Sequence, residues 1–245
     1  MFSIYELADE ENHLIMEASN NYGQFFNLAK DTVDYSWKFV GPIQDNAYVF
    51  NAFLTQASKS LSLALLSIVR HHLTQTYQLL RNAIESISLA CYSLHKPEEN
   101  NYVRFDPDSE KLLDKPKVKV KAYKWLNESY PKHSKHLEKI KSEFINKMFA
   151  HSNLIDAVTS VKYSDSNTHN SVFDDIKPLT LKMMLVSLSN LTIMMVELVG
   201  EVLKDYPLAK LKVGFDEQIQ HFRAINMSQF KTINADPSYP RHGKY

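Results

Sequence analysis

The sequence predicts an all-α helical bundle, and three observations carry that prediction. Apolar residues recur at helical spacing over long segments, the nine prolines fall between those segments, and glycine is scarce, five in 245 residues. Proline lacks a backbone donor and clashes with the preceding turn, so prolines that punctuate periodic segments are those of a helical chain. The intervals between them read as N-terminal helices near 3–20 and 22–39, then helices near 45–69, 72–95, 118–129, 132–152 and 179–205. A weaker helix is expected over 215–230. In this reading residues 1–44 form a helical segment packed on a bundle over 45–232, and 233–245 form a flexible tail.

The segment 72–95 has the clearest pattern. Leu73, Tyr77, Leu80, Ile84, Ile87, Cys91 and Leu94 alternate spacings of four and three, an apolar seam for another helix. Phe50, Phe53, Leu54, Ala57, Leu61, Ala64, Leu65 and Ile68 make the matching stripe upstream. A break at Arg70-His71-His72 would fold the two into a hairpin, although one continuous helix fits the same pattern. Met183–Val196 holds no charged residue in fourteen positions and is bounded by Lys182 and Glu197. A bilayer needs ~20 apolar residues, and this run is shorter and interrupted by Ser187, Ser189, Asn190 and Thr192. A central helix buried by several neighbours is expected. Residues 157–175 read as a small β-hairpin or an excursion loop.

Composition narrows the function classes. The glycines are too dispersed for a phosphate-cradling loop, which excludes dinucleotide-binding and P-loop folds. No Gly-x-Ser-x-Gly elbow occurs. The lone Cys91 rules out an intrachain disulfide and is expected in the core. No signal peptide opens the chain, so a cytoplasmic location is expected, with no membrane association. Glu10-x2-His13 lacks a second copy to complete a di-metal site, and His133-x2-His136 sits among lysines that oppose a cation. No metal or cofactor is therefore expected. Charge is balanced overall, 28 bases against 28 acids, but segregated: residues 1–34 carry seven acids and one base, and residues 111–150 eleven lysines and four acids. Such a molecule can hold its own halves together, pair with a copy of itself, or bind a polyanion.

The stretch Ile145-Asn146-Lys147-Met148-Phe149-Ala150-His151 places an amide, an ammonium and an imidazole within two turns of one helix. His151 continues the apolar stripe Leu137, Ile140, Phe144, Met148, which suits a core histidine. It also carries Lys147 on its own face. An imidazole moves protons near neutral pH, and an ammonium steadies phosphate charge, the two functions metal-free RNA cleavage needs. Arg81 and Glu85 lie four apart, one residue off the seam of 72–95, as an ion pair or as a charge source for the same chemistry. The run Lys115 to Lys124, with Lys117, Lys119 and Lys121 before Tyr123 and Trp125, can contact phosphates and stack bases, or can be a solvated entry to a helix. Lys141 adds a further cation.

A helical hairpin followed by a helix ending in a polar-x4-His pattern resembles the HEPN superfamily of prokaryotic toxin, defence and RNA-processing domains. Active members carry Arg-x4–6-His on a helical bundle and join two motifs at one dimer cleft to cut RNA without metal. The resemblance implies that His151 is the motif histidine, that Asn146 stands where arginine is expected, and that Lys147 follows it. Asparagine lacks the planar, charged fork of arginine, and Arg81 would replace that charge from a neighbouring helix. Related HEPN-like families also carry Arg-x3-Glu on the second hairpin helix, as in Arg81 and Glu85. The resemblance thus implies a homodimer that binds or cleaves RNA, with His151, Lys147, Asn146, Arg81 and Glu85 in the catalytic group and Lys117, Lys119, Lys121, Lys124 and Lys141 on the RNA. Two other readings stay open. One is a non-catalytic helical module that holds a protein partner through its charged faces. The other is a small-molecule sensor with a pocket at Met183–Val196.

Overall fold

A computed structural model of the chain describes residues 3–145, 161–164 and 167–239. It is a helical bundle, as the periodicity predicts. The first predicted helix is two, α1 (Ile4–Met16) and α2 (Ala18–Tyr22), and α3 (Gln24–Ser36) follows Gly23, whose φ of +51° turns the chain. Ser3 and Glu6 form a reciprocal capping box that starts α1, a Ser-x-x-Glu signal present in the sequence. A short strand β1 (Val40–Ile43) leads to α4 (Tyr48–Val69) and α5 (Leu73–His95).

The α4–α5 hairpin forms as the break at 70–72 predicts, with His71 at a φ of +60° making the reversal. The seam residues Tyr77, Ile84, Ile87, Cys91 and Leu94 of α5 are buried, as are Phe50, Leu54, Ala57, Leu61, Ala64 and Leu65 of α4. A left-handed backbone costs a histidine about 1 kcal/mol, and the surroundings hold it. The Asp174 carboxylate accepts the Leu73 N–H at 2.6 Å, capping α5, while the Asp174 N–H donates to the His71 carbonyl at 3.0 Å. Tyr22 Oη lies 3.1 Å from His71 Nε2. Glu11 reaches over from α1 to Arg70 at 3.1 Å and His72 at 2.7 Å.

After α5 comes an exposed hairpin, β2 (Val103–Asp106) with β3 (Lys111–Asp114), then α6 (Val118–Ser129) and α7 (Pro131–Lys139). Pro131 sits at the first turn of α7, where its missing N–H has no partner to lose. The predicted helix over 132–152 is corrected in its described part: α7 ends at Lys139 and passes into a π-helical turn, Ile140–Ile145, and residues 146–152 lie outside the described residues. The wider turn breaks the 3.6-residue periodicity behind the stripe from Leu137 to His151, and Ile145, off that stripe, is buried. The β-hairpin alternative holds within 157–175, with β4 (Val161–Ser164) paired to β5 (Asn167–Asn170).

The long helix α8 (Pro178–Asp205) is the central element, packed against α3, α4, α5, α7 and later α9. Its buried hydroxyls, Ser189 and Thr192, donate to the carbonyls of Leu185 and Leu188 one turn back, so a polar interruption of the apolar run costs no unpaired group. Ser187 and Asn190 reach solvent instead. By length and composition Asp45–Val69 and Pro178–Asp205 could each cross a membrane, yet 56% and 78% of their most apolar windows are buried inside the fold. Other helices therefore cover much of the surface that lipid would take.

Strand β6 (Ala209–Leu211) pairs antiparallel with β1 across an irregular register at Gly41-Pro42. The sequence reading placed Pro42 between elements. It lies in a strand, at the kind of bulge where a missing donor is tolerated. Helix α9 (Phe215–Ala235) closes the bundle and runs past the predicted end at 230. The N-terminal segment is tied to this closing part: Gln229 donates to the Gln24 carbonyl at 2.7 Å, and Phe39 packs on Phe215. Tyr239, in the predicted tail, packs against the core.

Gly200 marks the tightest approach between α8 and α9. A Cβ there would lie 2.7 and 2.9 Å from the Phe215 ring. Alanine ordinarily gains about 1 kcal/mol over glycine inside a helix, but this contact reverses the sign. Gly200→Ala is expected to lower unfolding stability by about 1–3 kcal/mol in denaturant titrations, and Phe215→Leu in the same chain is expected to recover part of it.

Candidate functional site

Arg81 and Glu85 stand on the side of α5 that faces α6 and the π-helical turn. They form the predicted i, i+4 pair, with Arg81 Nε 3.2 Å from Glu85 Oε1. The pair is not isolated. Lys119 Nζ of α6 lies 2.6 Å from Oε2, and Lys141 Nζ of the π-helical turn lies 2.8 Å from Oε1. One carboxylate thus gathers three cations. Glu85 and Lys141 are mostly buried, with 12% and 15% of their side-chain surface exposed, whereas Arg81 and Lys119 keep 41% and 56%.

Burial alone would push the Glu85 carboxyl up, but hydrogen bonds from Lys119, Lys141 and Arg81 outweigh it and bring the group down to about 2. Burial likewise disfavours the Lys141 ammonium, and its bonds to Glu85 and Tyr123 reverse this, raising it above its ordinary value. Tyr123 accepts from Lys141 Nζ at 3.0 Å and presents its ring 4.5 Å from the same nitrogen. Sequence reasoning assigned Tyr123 to stacking or to the core. Its contact with Lys141 spans eighteen residues, and no local pattern signals it. Trp125 stacks on His95 at 5.0 Å and meets Tyr92, Tyr130 and Tyr206 edge-on, which fixes α6 to α5 and to the end of α8.

The five lysines expected on RNA therefore divide. Lys119 and Lys141 turn inward to Glu85. Lys121 and Lys124 are exposed, one turn apart on α6, and the exposed Lys117 precedes them by one turn at the helix start. At about 100° per residue this stripe lies opposite the buried face of Ala122 and Leu126. Lys124 also approaches Glu128 at 3.9 Å. Asn146, Lys147 and His151 lie outside the described residues.

Beside the Glu85 cluster, α5, α7, the π-helical turn and α8 enclose a cleft of about 670 Å³. Among the described residues its floor is apolar, from Ile68, Tyr77, Leu80, Ile145 and Leu191, with Met183 and Met184. Its mouth carries exposed His136, Lys139, Thr180, Ser187 and Asn190. Leu80 and Ile140 of its wall directly precede Arg81 and Lys141 in the chain, while Arg81, Glu85, Lys119 and Lys141 do not themselves line the cleft. Five of the lining residues, Met183, Met184, Ser187, Asn190 and Leu191, belong to the segment from which the sequence leads one to expect a pocket.

The two histidines of His133-x2-His136 diverge. His136 opens on the cleft, while His133 is buried with Nε2 3.0 Å from Glu201 Oε1, off the line of a hydrogen bond. Among the described residues no three His, Cys, Asp or Glu side chains gather as metal ligands. Cys91 is fully buried, and burial pushes its thiol far up, as for a small core residue.

The fold and site thus define a helical bundle with a carboxylate-centred cationic cluster next to an apolar cleft. No protein-family model, no curated protein and no solved structure matches the chain.

The titration of Glu85 has a measurable consequence. Its folded carboxyl lies below the ordinary 4.5, at about 2, so ionised Glu85 contributes stability above the ordinary value that is lost as pH falls through about 2. The displacement corresponds to about 3 kcal/mol. Glu85→Gln is expected to lose about 2–4 kcal/mol at pH 7, and the deficit is expected to shrink steadily between pH 5 and pH 2 in denaturant titrations. An unchanged deficit across that range would rule out the assigned charge pairing.

Proposed function

We propose that this chain is a HEPN-like RNA-binding protein whose phosphate-contacting surface combines the exposed stripe Lys117, Lys121 and Lys124 with the outward parts of Arg81 and Lys119. The observation that carries this reading is the gathering of three cations on the single carboxylate of Glu85. One negative charge cannot neutralise three positive ones, so the cluster keeps an excess of positive charge, and two of its three cations, Arg81 and Lys119, are open to solvent. Glu85 acts here as a positioning residue: it holds Arg81, Lys119 and Lys141 in a fixed array, which lowers the entropy an anion must remove on binding.

The Arg81–Glu85 pair also supports the HEPN-like reading, because an Arg-x3-Glu on the second hairpin helix is shared with related families. In the cleaving form of the proposal, His151 transfers the proton, Arg81 and Lys147 stabilise charge at phosphorus, and Asn146 orients the phosphate. The π-helical turn holding Lys141 leads directly into that motif, so Glu85 anchors the segment just before it.

Fluorescence anisotropy with a labelled single-stranded RNA tests the binding. With about four phosphates contacted, raising salt from 50 to 200 mM is expected to weaken binding about 50-fold. Combined Lys117→Glu, Lys121→Glu and Lys124→Glu changes are expected to abolish it without loss of folded stability. Salt-independent binding, or full binding by the triple variant, would discard the reading. Cleavage is tested separately: His151→Ala is expected to remove RNA cutting and leave affinity within about twofold, and a wild-type protein that leaves RNA intact removes catalysis from the proposal but not binding.

A further inference from the structure

We infer that the cleft between α5, α7, the π-helical turn and α8 is a binding site for an amphiphilic anion: a small molecule with an apolar body and a terminal carboxylate or phosphate head. This goes beyond the RNA reading: the two share the cations around Glu85, but the lining of the cleft takes no part in RNA binding. Three observations carry it.

The first is size against composition. At about 670 Å³ the cleft falls inside the range of ~300–1,000 Å³ of small-molecule sites. Its floor is hydrocarbon and thioether from Ile68, Tyr77, Leu80, Leu191, Met183 and Met184. Water there finds few donors, because the hydroxyl of Thr76 is turned to the His72 carbonyl at 2.8 Å and most of the lining is apolar. An apolar body displaces such water at a gain. Methionine stems adapt to ligands of varying shape, so the floor suits an alkyl chain or a fused ring better than one rigid outline.

The second is the polarity of the mouth. The exposed polar groups lie on the open side, with only the Thr76 and Tyr77 hydroxyls deeper among the described residues, and no aspartate or glutamate among those residues lines the cleft. A ligand with one apolar and one polar end matches that division, and a uniformly polar one does not.

The third is the sign of the neighbouring charge. Arg81 and Lys141 follow wall residues Leu80 and Ile140, and with Lys119 they outnumber Glu85 three to one. The charged side chains on and next to the lining are therefore mostly cationic among the described residues, with Lys139 and His136 at the mouth itself. An anionic head gains from them, a neutral head is indifferent, and a cationic head is repelled.

Titration of the full-length protein with 1-anilinonaphthalene-8-sulfonate, an apolar anion that brightens in dry sites, tests the inference. The probe is expected to brighten at one site per chain and to be displaced by dodecanoate or dodecyl phosphate at least tenfold more tightly than by dodecanol. Dodecyltrimethylammonium is expected not to displace it. Comparing the carboxylate with the phosphate tells which head is preferred, and either preference supports the inference. Ser187→Trp, at the exposed mouth, is expected to weaken probe binding at least tenfold with the thermal midpoint unchanged. Arg81→Gln is expected to reduce the preference for dodecanoate over dodecanol at least twofold, since two of the three cations remain. No brightening, equal displacement by the cationic amphiphile, or full binding by a stably folded Ser187→Trp variant would each overturn it.

Discussion

A carboxylate cannot be buried in a helical bundle without cations, and in this chain that constraint organises the face on which function is proposed. Glu85 is enclosed between α5, α6 and the π-helical turn. Its desolvation is offset because each of those three elements sends it a cation. The apolar seam of α5 and the packing of Trp125 on His95 and Tyr92 bring the helices together, and Glu85 ties α6 and the π-helical turn to α5 through Lys119 and Lys141. Lys141 could not sit so deep without Glu85 and Tyr123 to hold its charge. Removing Glu85 would leave the buried Lys141 ammonium without its counter-charge, which costs more than the pair is worth as a net contribution.

A second set of polar contacts keeps the hairpin turn from opening. Helix α1 buries none of its own residues, and so has little hydrophobic reason to stay docked. Its attachment combines the partly buried Ile15, packed against the core, with Glu11, which bridges Arg70 and His72 beside the left-handed His71. Hydrogen bonds from those two residues hold the Glu11 carboxyl below its ordinary value despite partial burial. The acidic N-terminal region therefore has an internal use, and it meets the hinge of the bundle at Arg70 and His72. At the far end of the molecule β1 and β6 tie the chain across α8 by backbone hydrogen bonds, where the close approach at Gly200 lets Phe215 reach the central helix.

The basic region serves two ends. Side chains that point toward α5 are consumed in assembling the bundle, and those on the opposite side of α6 stay in water, available to a polyanion. The same assembly places positive charge beside an apolar cleft, so one folding requirement creates both an exposed cationic surface and a polarised pocket. The two proposals are thus separable by residue: the exposed stripe answers to RNA, and the floor of the cleft to an apolar body.

Periodicity and punctuation were enough for the helical class, because a seam such as Leu73, Tyr77, Leu80, Ile84, Ile87, Cys91 and Leu94 is a local property of one segment. The long helices, the hairpin break at 70–72 and the buried character of Met183–Val196 were all legible for that reason. The short strands β1, β2, β3 and β6 were not, since four residues beside a proline or a charged turn carry no periodic signal, and β1 finds its partner about 170 positions away. The π-helical turn escaped too, because one widened turn imitates a continuous stripe when spacing is read at 3.6 residues per turn. For the candidate site, the sequence offered Arg81, Glu85 and the lysines as a set. Only the tertiary structure decided which lysines face Glu85 and which face water, because the side on which α6 is buried depends on its neighbours and not on its own charge.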